Sequence, residues 1–229
     1  MQRPALNEQI DQQPLDRHEV AIARLGRRPG ADDRRALADG ALMGQLHARL
    51  HNLAAARAIR ERFPDCPIAA DIFAAGLEGL ADDADVDELR RLLDQHGAGD
   101  AACHGDFHPS NVFVVTNGNI VLDWSDSYLG PAESDVAGAI IRGRAANPDP
   151  AASPEETERF QDNLELMLRG YLRAYVQTRV LDRVGVEAWV RLVAAHTLAR
   201  RGRNEGVLRA HLNGEFTLPG PEAQENIPV

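Results

Sequence analysis

Residues 103–124 read CHGDFHPSNVFVVTNGNIVLDW, and this stretch governs how the rest of the chain is understood. Segments 112–115 and 120–122 are apolar and rich in β-branched residues, which marks both as strands. Between them stands Thr116-Asn117-Gly118-Asn119. Asn-Gly is the strongest two-residue hairpin signal, because both turn residues adopt positive φ. With Asn117 and Gly118 as the loop, Thr116 faces Asn119, Val115 faces Ile120, Val114 faces Val121, Phe113 faces Leu122 and Val112 faces Asp123. Asn111 and Asp123 then emerge at the open end of one hairpin, where opposed residues lie ~5 Å apart. An amide oxygen and a carboxylate at one place, completed by phosphate and water, make a ligand set that suits Mg²⁺.

Asp106 precedes Asn111 by five residues, in a loop closed by Pro109. The kinase catalytic loop has the same spacing: an Asp that accepts the substrate hydroxyl's proton, and an Asn five residues on that holds a metal. The chemistry explains the layout. Phosphoryl transfer needs an in-line hydroxyl and cations bridging the phosphates, so one carboxylate stays free of metal while another binds it.

The run His104-Gly105-Asp106-Phe107-His108-Pro109-Ser110-Asn111, followed by Val121-Leu122-Asp123-Trp124, resembles the aminoglycoside phosphotransferase and choline kinase family, with its HGDxHxxN loop and aliphatic-x-D-W strand. Asp135, in Ser134-Asp135-Val136-Ala137, is similar to that family's downstream D-[LV]-A helix start. The resemblance implies Asp106 as catalytic base and Asn111 and Asp123 as Mg²⁺ ligands. It implies His104 as a structural residue bracing the loop and Asp135 as a structural cap. It also implies ATP or GTP as phosphate donor and a small-molecule hydroxyl as acceptor. The expected fold is α+β and mainly helical, a protein-kinase-like C-terminal lobe with a short catalytic β-hairpin.

Weaker likeness extends outward. Residues 6–15 resemble the family's inter-lobe hinge, and Leu46-His47-Ala48-Arg49-Leu50-His51 resembles its "ARLH" helix. On that reading the chain begins at the hinge and the small nucleotide-gripping lobe is missing. The sequence contains no lysine and no convincing glycine-rich loop. The lysine that pairs with ATP phosphates in kinases is therefore not among these residues, and the planar guanidinium of arginine is no simple replacement.

The flanks read as helices. From Asp32, Leu42, Leu46, Leu50 and Leu53 form one apolar stripe, running to about Phe63 where Pro64 stops it. His47 and His51 flank the stripe; their spacing fits a ligand pair, but a packed or exposed helix face is the ordinary reading. Asp85 with Glu88 reads as a cap, opening a helix that ends near Gly97. Ser153-Pro154-Glu155-Glu156 reads as a capping box with proline at the first helical position. The helix it opens carries Phe160, Leu164, Met167, Leu168, Tyr171, Leu172 and Tyr175 as a core stripe, and a further helix covers about 186–201. The expected organisation is a hinge-like lead-in at 1–31, the catalytic lobe at 32–216 and a disordered polar, Pro-rich tail at 217–229.

Composition narrows the remaining classes. A net charge of −10 argues against sequence-independent nucleic-acid binding. It tilts only faintly towards cationic substrates, since acidity mostly serves solubility. No run of 18 apolar residues spans a membrane, and the N-terminus lacks an apolar signal core; a cytoplasmic location is the expectation. Two cysteines, Cys66 and Cys103, make no disulfide framework, and Cys103 reads as core rather than nucleophile. His104-x-Asp106-x-His108 also alternates like a strand and would fit a transition-metal hydrolase, but that leaves Asn111, the hairpin and Asp123 unexplained. Asp126 and Glu133 are candidates for the substrate side or plain surface charge; Tyr128 and Trp189 read as packing residues.

Overall fold

A computed structural model describes residues 23–24, 33–80, 86–115, 118–200 and 204–219. The hinge-like segment 6–15, the cap at Asp85 and residues 220–229 of the tail lie outside them. The described chain is α+β and mainly helical. Its helices are α1 (Asp33–His51), α2 (Ala56–Arg62), α3 (Ala69–Leu77), α4 (Val86–His96), α5 (Ala132–Arg144), α6 (Pro154–Thr178), α7 (Arg183–Ala199) and α8 (Glu205–Leu212). Its strands are β1 (Ala23–Arg24), β2 (Ala101–Cys103), β3 (Val112–Val115), β4 (Gly118–Val121) and β5 (Tyr128–Gly130). Two small antiparallel sheets result, ordered β1-β3-β4 and β2-β5. Among the described residues, no helix is long and apolar enough to cross a membrane.

The hairpin forms where expected but in another register. Val112 pairs with Val121, Phe113 with Ile120, Val114 with Asn119 and Val115 with Gly118. The connection is therefore 116–117 rather than Asn117-Gly118, and Gly118 is a paired strand residue with φ of +151°. A positive φ there suits glycine alone among common residues. The shift is two positions, so each side chain keeps its face. Leu122 N–H donates to Asn111 O at 2.9 Å, which continues the ladder and puts Asn111 opposite Leu122. Asp123 follows one residue beyond. β2 and β5, not anticipated as strands, pair Ala101 with Gly130 and Cys103 with Tyr128, and so tie the start of the 103–124 segment to its end.

The helix expected over 32–63 is two. α1 stops at His51, where the Arg179 guanidinium donates to His51 O at 3.0 Å and to Asn52 Oδ1 at 2.9 Å. A cation on terminal carbonyls ends a helix well, but this one comes from the far end of α6 and has no local sequence signal. The buried face of α1 also differs from its leucine stripe. Met43, Gly44, His47, Ala48 and His51 are buried, whereas Leu42, Leu46 and Leu50 flank them and Leu53 is exposed. α6 starts as read, with Ser153 and Glu156 forming a complete capping box, and buries Leu168, Tyr171, Leu172 and Tyr175.

α1 and α6 pack more extensively than any other pair of elements. Glycines make this approach available: a Cβ at Gly40 or Gly44 would overlap the carbonyl oxygens of Met167 or Tyr171, and one at Gly170 that of Leu37. The other half of the core centres on α5 and α7. α5 buries nearly its whole first nine residues, and α7 buries Trp189, Val190, Leu192 and Ala194 completely. Trp189 also donates from Nε1 to His96 O at 3.0 Å, so it packs as expected. Large side chains buried to this degree each contribute ~1.5–3 kcal/mol.

Tight helix contact sets the sign of two glycine substitutions. Gly44→Ala is expected to destabilise the protein by about 2 kcal/mol or more, overpacking outweighing the helix-propensity gain. Gly206→Ala, where nothing lies within 4 Å of the added methyl, is expected to stabilise it by up to about 1 kcal/mol. Urea unfolding of the two variants beside the parent measures both.

Candidate active site

The loop 104–111 is held by a buried carboxylate. Asp135 lies in the first turn of α5 and is 1% exposed. It does not cap its own helix. Its Oδ2 accepts the backbone N–H of His104 at 2.5 Å, and its Oδ1 accepts that of Gly105 at 3.0 Å. The same Oδ2 lies 2.9 Å from His47 Nε2 and 3.3 Å from His51 Nε2. Each ring is held behind by a tyrosine: His47 Nδ1 meets Tyr171 OH, and His51 Nδ1 meets Tyr175 OH, both at 2.7 Å. With Nε2–H donating to Asp135 and Nδ1 accepting from the phenol, every ring nitrogen is satisfied. Burial is the largest influence on His47 and pushes its pKa down to about 4, with neighbouring His51 acting in the same direction and Asp135 against it. Burial works against the Asp135 carboxylate, yet His47 and then His51 hold it well below the ordinary carboxylate range. Phe107, fully buried, stacks on His47 with ring centroids 3.9 Å apart.

His104, also buried, joins the loop to the hairpin. Its Nε2 donates to Leu122 O at 2.9 Å, and its Nδ1 accepts Asp106 N–H at 3.2 Å. Both nitrogens are thereby engaged. His108 accepts Ser110 N–H at Nδ1 and so caps the short 3₁₀ turn Pro109–Asn111. The His104, Asp106 and His108 side chains therefore do not converge as a transition-metal triad. Among the described residues, His47, His51 and Asp135 are the one such cluster, and it is complete as a hydrogen-bond network.

Asp106 is half-open to solvent and surrounded by donors. Arg142 Nε donates to Oδ1 at 2.5 Å, with its Nη2 on Gly105 O. His108 Nε2 lies 3.4 Å from Oδ2. Asn111 Nδ2 donates to the Asp106 carbonyl at 3.0 Å and to its Oδ2 at 3.3 Å. The His108 contact first, and the Arg142 charge after it, hold the carboxyl far below the usual range against its partial burial. Asp106 is thus ionised at neutral pH. Gly105, at φ +80°, is required here: a Cβ would overlap Asp126 O.

Asp123 is exposed and left-handed, with φ of +63°. Asp and Asn tolerate that conformation best among residues with a Cβ, and it clusters at functional sites. Ser125 Oγ donates to its Oδ1 at 2.8 Å, and Trp124 Nε1 returns to Val121 O at 3.0 Å. Cys103 is buried and burial pushes its thiol up, so it is core as read. Asp126 is exposed, and Glu133 accepts from Asp182 N–H at 3.4 Å. The sequence marked His47 and His51 as a pair and Tyr171 and Tyr175 as core, and all four are buried, but it did not join them to Asp135; Arg142 was not singled out at all. The signal for those four is paired histidines on one helix and paired tyrosines on another, each four residues apart.

The profile of the phosphotransferase enzyme family matches residues 11–183, more than half of the chain. No curated protein matches. Among solved structures, a glucosamine kinase superposes with a TM-score of 0.53 at 20% identity, over 82% of this chain and 55% of that one. A glucosamine kinase in complex with glucosamine, ADP and inorganic phosphate gives the same score and identity, over 82% and 53%. A choline kinase from Cryptosporidium parvum Iowa II is more distant, at TM-score 0.46 and 14% identity over 80% and 66%. The chain thus spans about half the length of the glucosamine kinases it matches, and the shared fold is kinase-like.

Acid stability follows from the buried imidazole. An unfolded histidine takes a proton near 6.5, whereas His47 in the folded chain resists until about 4. Between those values the unfolded state binds more protons, so stability falls as pH drops from 6.5 to 4, by about 3 kcal/mol from this group. His196 and His211, both held low chiefly by burial, act in the same direction. Urea unfolding across that window should show the decline, and His47→Gln should be less stable at neutral pH but flatter in its pH dependence.

Proposed function

Because the chain belongs to the phosphotransferase enzyme family, we propose that it carries the catalytic loop of a small-molecule kinase, moving the γ-phosphate of ATP or GTP to a hydroxyl of a small molecule with Mg²⁺. The observation that carries this reading is the ionised Asp106 carboxylate bonded to Asn111, at the end of a ladder whose other strand leads into exposed Asp123. The glucosamine kinase holding glucosamine, ADP and inorganic phosphate supports a nucleotide donor and a small hydroxylated acceptor. The catalytic unit on this reading is 32–216, in a cytoplasmic protein whose partners are small molecules and neither nucleic acid nor membrane.

Asn111 and Asp123 fit Mg²⁺. Asn111 spends its amide hydrogens on Asp106, which leaves a carbonyl oxygen; Asp123 offers an exposed carboxylate. Hard oxygen donors from one or two side chains suit this ion. Bound Mg²⁺ would neutralise charge on the phosphates. The protein's own residues do the rest. Asp106 accepts a hydrogen bond from the incoming hydroxyl, orients it in line and takes its proton as the new O–P bond forms and the bond from the γ-phosphorus to the bridging oxygen breaks, releasing the nucleoside diphosphate. Arg142 and His108 fix that carboxylate and keep it ionised. His104 and Asp135 fix the loop from which it projects.

A second reading is a chain that binds ligands without transferring phosphate; it applies to these 229 residues taken alone, which contain no lysine to pair with the phosphates. Incubation with labelled ATP or GTP, Mg²⁺ and a panel of hydroxylated small molecules separates the two. The kinase reading expects labelled product, with Asp106→Ala lowering the rate by about 10²–10⁴-fold. It also expects Asp123→Asn to lower the rate and to raise the Mg²⁺ needed. An Asp106→Ala variant at the parent rate would remove that residue from the chemistry. Binding of Mg·ATP with no product from any acceptor would favour the second reading.

A further inference from the structure

Resting on the reading of Asp106 as the base, we propose that the cavity beside it is the acceptor site, and that it selects a hydroxylated carboxylate, such as a sugar acid, over a cationic amine. The cavity holds about 480 Å³ and lies between α3, α5, α7 and the loop at Gly105 and Asp126. That volume suits a sugar-sized molecule. Arg142 lines it and at the same time bonds Asp106, so an occupant lies next to the base.

The wall made by α5 and α7 offers donors. Arg142 keeps N–H groups beyond the two it gives to Asp106 and Gly105. Arg200, exposed at the end of α7, stands one turn beyond His196 on the same lining. His196 lines the same wall. Its Nδ1 is buried without a hydrogen-bond partner and lies over Gly76, where a Cβ would collide with it. Burial, then Arg200 and Arg142, push the His196 pKa down, and no carboxylate counters them. Both guanidiniums therefore act on this wall.

The same lining carries two carboxylates. Asp135 is buried and already accepts from two backbone amides and two imidazoles, so it is committed to the loop rather than open to an occupant. Asp126, on the opposite loop, is the other carboxylate. In a chain of net charge −10, a cavity wall carrying two arginines departs from the general surface. A carboxylate on that wall gains charge-assisted hydrogen bonds from Arg142 and Arg200. An ammonium there meets two guanidiniums.

Equilibrium titration of the full chain, without nucleotide, with gluconate, glucuronate, glucose 6-phosphate, glucose and glucosamine tests this. Gluconate or glucuronate should bind at least about tenfold tighter than glucosamine, with the preference shrinking as salt rises. Arg200→Glu, at an exposed position, should abolish or reverse that preference, while Arg57→Glu on an exposed helix away from the cavity should not. Equal or tighter binding of glucose or glucosamine overturns the proposal, and so does preference for the sugar phosphate over both acids. Asp106-dependent transfer to glucosamine with no binding of acids would sink this inference and leave the kinase reading standing. Tight binding of acids that never accept phosphate, where other hydroxyl compounds do, would overturn their assignment as acceptors.

Discussion

A carboxylate withdrawn from water costs several kcal/mol unless its lone pairs are filled by good donors. Asp135 meets that demand with two backbone amides from the loop and two imidazoles from α1, each imidazole backed by a tyrosine of α6. One residue therefore joins three distant parts of the chain: the 104–111 loop, α1 and α6, through the first turn of α5. The loop is not free to choose its conformation, because any other would strand the carboxylate. The glycine-mediated approach of α1 to α6 belongs to the same device, since it sets each histidine against its tyrosine.

What that brace holds in place is a second carboxylate of opposite character. Asp106 is partly open, faces Arg142, His108 and Asn111, and stays ionised. The two acids sit 29 positions apart in sequence yet are joined through Gly105, whose amide serves Asp135 and whose carbonyl receives Arg142. Environment separates their roles. Asp135 is buried and committed to the loop and the two imidazoles; Asp106 is partly open to solvent. Asp123 follows β4 by two residues and is exposed, in a left-handed conformation that a strand would not impose.

Much of this was legible. The strand at 112–115, the loop between Asp106 and Asn111, the capping box of α6 and the burial of Trp189 all follow from local chemistry, and the structure has them; the strand expected over 120–122 is there as 118–121. Among the readings that needed correction, two turn on single residue types. The Asn-Gly signal named the turn's neighbourhood but not its register, because Gly118 is used as a paired residue rather than in the turn. The leucine stripe of α1 marked the flank of its buried face, because hydrophobicity gives histidine little weight, while here His47 and His51 are buried as fully as any core residue.

By itself the sequence determined that 112–121 folds as a hairpin, where α6 starts and the chemical identity of the loop, because each depends on residues within about one turn or one strand of one another. Only the tertiary structure decided which polar groups meet: Arg142 with Asp106, the histidines with Asp135, and Arg179 with the end of α1. Such pairings join residues 36 to 128 positions apart, and no local pattern encodes them. They are fixed by the need to satisfy every polar group that the packed helices close off from water.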